Sequence, residues 1–223
     1  MATALAVTAL LAASCADNIK TDFPPGLDPL DAVNPALFPD GGVDPYPEKL
    51  GDFAFGSDGT VVLAYAKGYI KQPVAAVWAA GTDPQSASES SITTCSITLD
   101  AETGYDFSWR FHNTKTEVIT VWFDVTWRSG TLPWPTPAGG PGSPPTVAWR
   151  FQKTDGTAYV QFMAGSVKAY EVAPGITGIE FIRHVDAARS PPDVVAGGIQ
   201  NNYDNILAKL YSTPFTNVIC TGP

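Results

Sequence analysis

One positively charged side chain stands among the apolar residues of a predicted strand. In residues 176–186, β-strand alternation places Arg183 on the inner side together with Ile179, Phe181 and Val185. An inward guanidinium can bind the carboxylate or phosphate of a ligand, although a protein acid or solvent at the strand end satisfies it more often. Arg183 is therefore the candidate for polar recognition, with its partner left open.

The histidines and the common catalytic motifs provide no acid–base pair. His112 and His184 both fall on the predicted polar sides of their strands, where solvation is the expected environment. The sequence contains no G-x-S-x-G, H-E-x-x-H, P-loop or dinucleotide-binding glycine motif, and its three cysteines lack zinc-site spacing. We therefore predict no catalytic residue, no metal site and no cofactor.

The first cysteine follows an apolar N-terminal stretch. Residues 4–13 are too short to cross a bilayer but fit the hydrophobic region of a signal peptide. The sequence "LLAASC" resembles the lipobox of bacterial lipoproteins, in which a cysteine becomes the acylated N-terminus. The resemblance implies a signal peptide over 1–14 and lipidation at Cys15. An ordinary secretory signal that is cleaved nearby is the alternative.

The other two cysteines form an even pair once Cys15 is assigned to lipid. A secreted chain folds in an oxidising compartment, and Cys220 lies in a tail beyond the last predicted helix. We predict a disulfide between Cys95 and Cys220, which would hold that tail to the strand around Cys95. Two unrelated thiols are the alternative.

Residues 15–58 are rich in proline, aspartate and glycine and show no sustained periodicity. Such a composition predicts an extended tether, which would hold a folded domain at a distance from a membrane. Its aspartates lack the alternate spacing and the closing glutamate of a calcium-binding loop. The folded domain is therefore predicted over residues 59–223.

Composition limits the size of the core and the choice of partners. With 223 residues, 44% of them hydrophobic and 11% aromatic, the chain has enough apolar material for one sizeable core. Its net charge of −9 and its scattered basic residues argue against nucleic acid and anionic membrane surfaces as partners. Contact with a membrane is expected only through the lipid anchor.

The elements that must position Arg183 begin at Thr60, where β-branched and aromatic residues start to alternate with polar ones. The first run stops at Pro73, which fits the first turn of a short helix ending near Gly81. Several further strand runs follow. A last segment of about twenty residues, 190–212, has the apolar spacing of a long helix.

The stretch "KGYIKQPVAAVWAAGTDPQ" resembles the N-terminal signature of the START-like superfamily, also called SRPBCC or polyketide cyclase-like. The matching residues are Ile70, Pro73, Val74, Val77, Trp78, Asp83 and Pro84. The resemblance implies an α+β helix-grip fold, in which a curved antiparallel sheet of about seven strands wraps around a long C-terminal helix. Because the superfamily includes lipid carriers, hormone receptors, cyclases and chaperone activators, the ligand stays open.

One side of the predicted sheet is strongly aromatic, whereas the other is polar. The helix that should cover the aromatic side carries "AGG" at 196–198 and "NN" at 201–202, which are small and polar. This favours a cavity, although a filled core is the open alternative. The predicted ligand-binding residues are Trp109, Phe111, Phe123, Trp127, Trp149, Phe151, Arg183, Ile199 and Asn202.

These patterns together predict a secreted or lipid-anchored protein of the bacterial cell envelope that binds a hydrophobic small molecule or lipid. An enzyme of the cyclase or dehydratase kind is one alternative, and inward-facing pairs of His, Asp or Tyr would favour it. A surface interaction module with a filled core is the other, and the lack of any cavity would favour that.

Overall fold

Alternating polar and apolar residues form one antiparallel sheet in the computed structural model, which describes residues 18–89, 91–116, 120–132, 146–188, 190–215 and 217–222. Within these ranges there are eight strands and two α-helices. The strands are β1 (Ala54–Asp58), β2 (Val61–Ile70), β3 (Thr94–Leu99), β4 (Phe107–Thr116), β5 (Thr120–Leu132), β6 (Thr146–Gly156), β7 (Val160–Ala173) and β8 (Ile176–Ala187). The helices are α1 (Val74–Gly81) and α2 (Pro192–Leu210).

The sheet has the order β1-β2-β8-β7-β6-β5-β4-β3, and every neighbouring pair is antiparallel. Strands β3 to β8 form a meander, and the hairpin β1–β2 joins it through β8. Register shifts in the β5–β6 and β7–β8 pairs add bends to the strands. The inner face of the sheet packs against both helices, so the predicted helix-grip fold is confirmed.

Helix α1 begins where the sequence predicts it. Pro73 has φ −65° and an extended ψ, and it stands between β2 and the helix. Proline lacks a backbone N–H, but at the start of a helix no hydrogen bond is lost, because the first N–H groups have no partner within the helix. The helix buries Val74, Val77 and Ala80. A 3-10 helix (Pro84–Ala87) follows directly, and Asp83 caps it by accepting a hydrogen bond from the Gln85 backbone N–H at 2.9 Å.

Helix α2 crosses the inner face, where its contacts are with β2, β8, α1 and the 3-10 helix. Val195, Ile199, Tyr203 and Ile206 repeat at helical spacing and are all buried. Burial raises the pKa of Tyr203, and its hydroxyl donates a hydrogen bond to the Tyr69 carbonyl at 2.7 Å. Neither described α-helix is long and apolar enough to cross a membrane.

The predicted tether is corrected where the structure describes it. Residues 54–58 form β1, and residues 49–51 continue its pairing with β2. Earlier residues of the segment, among them Leu30, Asn34 and Ala36, contact the outer face of the sheet. The Asn34 amide donates to the backbone carbonyls of Ala66 and Phe181 at 3.2 and 3.1 Å. The covered surface is partly apolar, since Ala36 is buried against Tyr65 and Ile182. That apolar outer patch is the physical reason why the segment packs instead of extending.

The predicted disulfide is present. Cys95 on β3 is bonded to Cys220, and both residues are buried. The Thr221 N–H donates to the Cys95 carbonyl at 3.0 Å, and the Ile97 N–H donates to the Thr221 carbonyl at 2.7 Å. The C-terminal tail is therefore held to the edge of the sheet by both covalent and hydrogen bonds. Cys15 and the predicted signal peptide lie outside the described residues.

Candidate functional site

A pocket of about 290 Å³ lies between the N-terminal half of α2 and the inner face of the sheet. Most of its lining is apolar and comes from β5, β7, β8 and α2. The apolar side chains of the lining include Val121, Phe123, Val160, Met163, Val185 and Val195. A pocket of this volume and lining fits one small hydrophobic molecule.

The pocket opens to solvent at the N-terminal end of α2. Val194 lines it and is 48% exposed, and Gly197 and Ser91 in its lining are exposed as well. On the opposite side the lining residues Val185, Met163 and Arg183 are buried. A ligand would therefore enter beside the first turns of α2 and extend toward β8.

Arg183 lies in the pocket wall and is already paired with a protein carboxylate. Its Nη1 is 2.9 Å from Oε1 of Glu89, and the two side chains are only 6% and 12% exposed. Its Nη2 lies 3.7 Å from the Met163 sulfur, and its Cζ is 5.5 Å from the centroid of the Phe151 ring. The sequence left a ligand anion, a protein acid or solvent as the partner of Arg183, and the structure shows a protein acid, Glu89.

The guanidinium keeps unused donors in spite of this ion pair. Nε and Nη1 are buried and have no partner in hydrogen-bond geometry among the described residues, since Glu89 is close to Nη1 without that alignment. A Cβ atom built on Gly198 would lie 2.4 Å from Nη1 and 3.1 Å from Nε. Gly198 therefore packs closely against the guanidinium of Arg183, and both residues line the same pocket.

The backbone directly before Glu89 is held by asparagine side chains. The backbone carbonyl of Ser88, directly before Glu89, accepts hydrogen bonds from the amides of Asn201, Asn205 and Asn217 at 2.7, 3.2 and 3.3 Å. Asn201 and Asn205 are four residues apart and therefore share one face of α2. The spacing of these two amides on a buried face of α2 is the sequence feature from which their role could have been predicted.

Asn202 and Ile199 lie in the interior but not in the pocket lining. Asn202 was predicted to face the ligand, whereas its amide donates to the Ser86 carbonyl at 3.5 Å. Ile199 is 1% exposed and belongs to the hydrophobic core. Both residues therefore lie outside this pocket, where Ile199 packs in the core and Asn202 binds the segment that carries Glu89.

The predicted aromatic wall is divided between the pocket and the core. Of its six aromatic residues, only Phe123 lines the pocket. Trp127 stacks on Phe151 at 4.4 Å between ring centroids, and Trp149 packs on Trp78 at 5.1 Å. Trp127 and Trp149 line two voids of only about 10 Å³ each, one of them together with Trp109 and Phe111, and each void has room for about one water molecule.

The physical reason for that correction is helix α1, which lies over the aromatic end of the sheet. A Cβ atom built on Gly81 would be 2.6 Å from Cζ2 of Trp149, so the glycine makes room for the indole. The aromatic end is therefore a filled core, and the open space lies beneath the first half of α2. The sequence left a cavity and a filled core as alternatives, and each of them is found at one end of the sheet.

Both histidines and Tyr65 lie outside the pocket. His112 Nδ1 is 2.7 Å from Asp124 Oδ1, and His184 Nε2 is 2.9 Å from Asp31 Oδ2. Tyr65 also donates to Asp31, and burial together with this hydrogen bond raises the pKa of Tyr65 to about 12. Within the described ranges, no group of three or more His, Cys, Asp or Glu comes together as metal ligands do.

No protein-family model matches this sequence, and no curated protein matches it either. Solved structures do resemble the chain, whose architecture is the helix-grip fold. The human StarD13 (DLC2) lipid transfer and protein localization domain has 13% identity and a TM-score of 0.48, over 75% of this chain and 85% of its own.

Two further structures are similar at the same level. The Zhui aromatase/cyclase from Streptomyces has 12% identity and a TM-score of 0.42, over 68% of this chain and 92% of its own. Ara h 8.0201 has 15% identity and a TM-score of 0.41, over 69% and 99%. Likenesses of this size say nothing about the ligand, activity or partners of this chain.

Proposed function

We propose that this protein binds one small hydrophobic molecule in the pocket beneath the first half of α2. The observation that carries the proposal is the pocket itself, an opening of about 290 Å³ with a mostly apolar lining. An apolar cavity of about 150 Å³ accommodates benzene. Twice that volume accommodates a ligand of about ten to twelve non-hydrogen atoms.

This size limits the class of ligand. A fused bicyclic aromatic compound or a chain of about ten carbons fits inside, whereas a lipid with two long chains would have to project from the mouth. Each buried methylene contributes about 0.8 kcal/mol, so about ten contribute on the order of 8 kcal/mol before the costs of association. We therefore expect dissociation constants in the micromolar to millimolar range.

The test fills the pocket with a side chain of the protein. Val185 is buried and lines the pocket, so Val185→Phe places a ring in the space that a ligand would take. The matched control is Val33→Phe, because Val33 is 72% exposed and lies outside the pocket. Naphthalene binding is measured by ligand-observed NMR, and thermal unfolding shows whether each variant folds.

We expect the native protein and Val33→Phe to bind naphthalene with equal affinity, and Val185→Phe to bind it at least tenfold more weakly while remaining folded. If the native protein binds neither naphthalene nor any other uncharged probe of similar size, the proposal fails. The interaction module with a filled core then becomes the better explanation.

We also propose that the chain is secreted and anchored at Cys15. The apolar stretch 4–13, the sequence "LLAASC" and the use of Cys95 and Cys220 in a disulfide support an oxidising, extracytoplasmic compartment. Intact-mass analysis of the mature protein from its own host should find diacylglycerol on an N-terminal Cys15. A mature chain that begins elsewhere and carries no lipid would overturn this proposal.

A further inference from the structure

We infer that the pocket selects an uncharged ligand with an acceptor oxygen, such as a ketone, ester or alcohol, and discriminates against carboxylates. This inference rests on the proposed function, because it assigns the polar chemistry of the same pocket. It also changes the role expected for Arg183, whose inward position suggested a partner for an acidic ligand.

The unused donors of Arg183 attract a ligand that carries an acceptor oxygen. Nε and Nη1 are buried without a hydrogen-bond partner among the described residues, and Arg183 lines the pocket. A buried donor without an acceptor is unfavourable, and a bond from a charged donor is stronger than a neutral one. A ligand oxygen that reaches either donor would therefore gain affinity over a hydrocarbon of the same shape.

The carboxylate of Glu89 repels a ligand that carries a carboxylate. Its carboxylate already neutralises Arg183 at 2.9 Å, and both groups are largely buried. A ligand carboxylate at the same place would add a second negative charge to a neutral pair, and an uncompensated buried charge is costly. An uncharged oxygen adds no charge, so the pair tolerates it.

Glu89 is also poorly placed to move away. The Ser88 carbonyl that precedes it accepts from three asparagine amides, which fix the backbone at this point. Lys115, the other cation of the pocket lining, is only partly buried and has an interaction of its own. An incoming carboxylate would therefore meet Glu89 rather than replace it.

The experiment compares probes of one shape in the whole protein. These are naphthalene, 2-acetylnaphthalene and 2-naphthoate, which are an apolar, a ketone and a carboxylate ligand of nearly equal size. In the native protein we expect the ketone to bind most tightly, at least tenfold more tightly than naphthoate at neutral pH. Titration calorimetry or ligand-observed NMR gives the affinities.

The variant Glu89→Gln removes the negative charge and retains the shape of the side chain. We expect it to bind naphthoate at least tenfold more tightly than the native protein does. Asp204→Asn is the control, since it removes one negative charge from an exposed position of α2, and it should leave the order of affinities unchanged.

Gly198→Ala gives a second route to the same question without a change of charge. A Cβ atom there would lie 2.4 Å from Nη1, so the guanidinium must shift, and the advantage of the ketone over naphthalene should fall. If naphthoate binds the native protein as tightly as the ketone, the inference is overturned while the proposed function stands. If none of the probes binds, the proposed function itself fails.

Discussion

Arg183 on β8 and Glu89 in the loop before β3 form an ion pair in the wall of the pocket, with 2.9 Å between Nη1 and Oε1. The two residues come from distant parts of the chain and meet beneath α2. Removing two charges from water costs several kcal/mol, which their attraction offsets only in part. The pair is therefore a weak source of stability but a strong constraint on which charges the pocket accepts.

Breaking this pair from one side should destabilise the protein far more than removing both charges. Arg183→Met leaves Glu89 as an uncompensated buried carboxylate, for which we expect a loss of about 3–5 kcal/mol in the free energy of unfolding. The double variant with Glu89→Gln should recover most of that loss. Urea unfolding of the native protein, both single variants and the double variant measures the coupling, and strictly additive effects would contradict the pairing.

The adjacent glycines of α2 should respond differently to the same substitution. A Cβ atom at Gly197 meets nothing within 4 Å, whereas one at Gly198 would lie 2.4 Å from Arg183 Nη1. Gly197→Ala should raise the free energy of unfolding by about 0.5–1 kcal/mol, because alanine is the better helix former. Gly198→Ala should raise the free energy of unfolding by a smaller amount, or should lower it. Equal gains by thermal and urea unfolding would show that Arg183 does not lie against Gly198.

The fold was largely predictable because its signals are local. Pro73 ends one strand and starts a helix, and the alternation in β4, β5 and β6 shows which side of each strand is buried. The outer covering was missed because its contacts are between side chains and distant backbone, such as Asn34 with Phe181. Composition alone cannot distinguish such a segment from a free tether.

The position of the pocket was less predictable than the direction of the side chains. Alternation correctly places Phe123 and Arg183 on the inner face, and it places Trp127 and Trp149 there as well. It does not show which part of that face lies beneath α1 and which beneath the glycines of α2. Glu89 comes from a loop without periodicity, although it is the only charged residue between Asp83 and Asp100.

The segment over the outer face can be tested through Asn34. Its amide bonds to carbonyls of β2 and β8, while its Oδ1 accepts from the Ala36 N–H at 3.0 Å. Asn34→Ala removes these bonds and should lower the free energy of unfolding by about 1–3 kcal/mol. Val33→Ala is the neighbouring control, because Val33 is 72% exposed and should tolerate the change. Hydrogen exchange should increase in residues 18–53 of the Asn34 variant, and unchanged exchange would contradict the packing described above.

The disulfide should supply a large share of the total stability. Cys95 and Cys220 are separated by 125 residues, and cross-links that close long loops restrict the unfolded chain most. Replacing both cysteines by alanine should therefore cost about 2–5 kcal/mol in urea unfolding. The tail would then depend on hydrogen bonds such as those of Gln85 with the Cys220 backbone. Reductant should destabilise the native protein to the same extent and leave the double-alanine variant unaffected. Thiol labelling of the denatured, unreduced protein should modify neither Cys95 nor Cys220, and labelling of both would show that the bond does not form in solution.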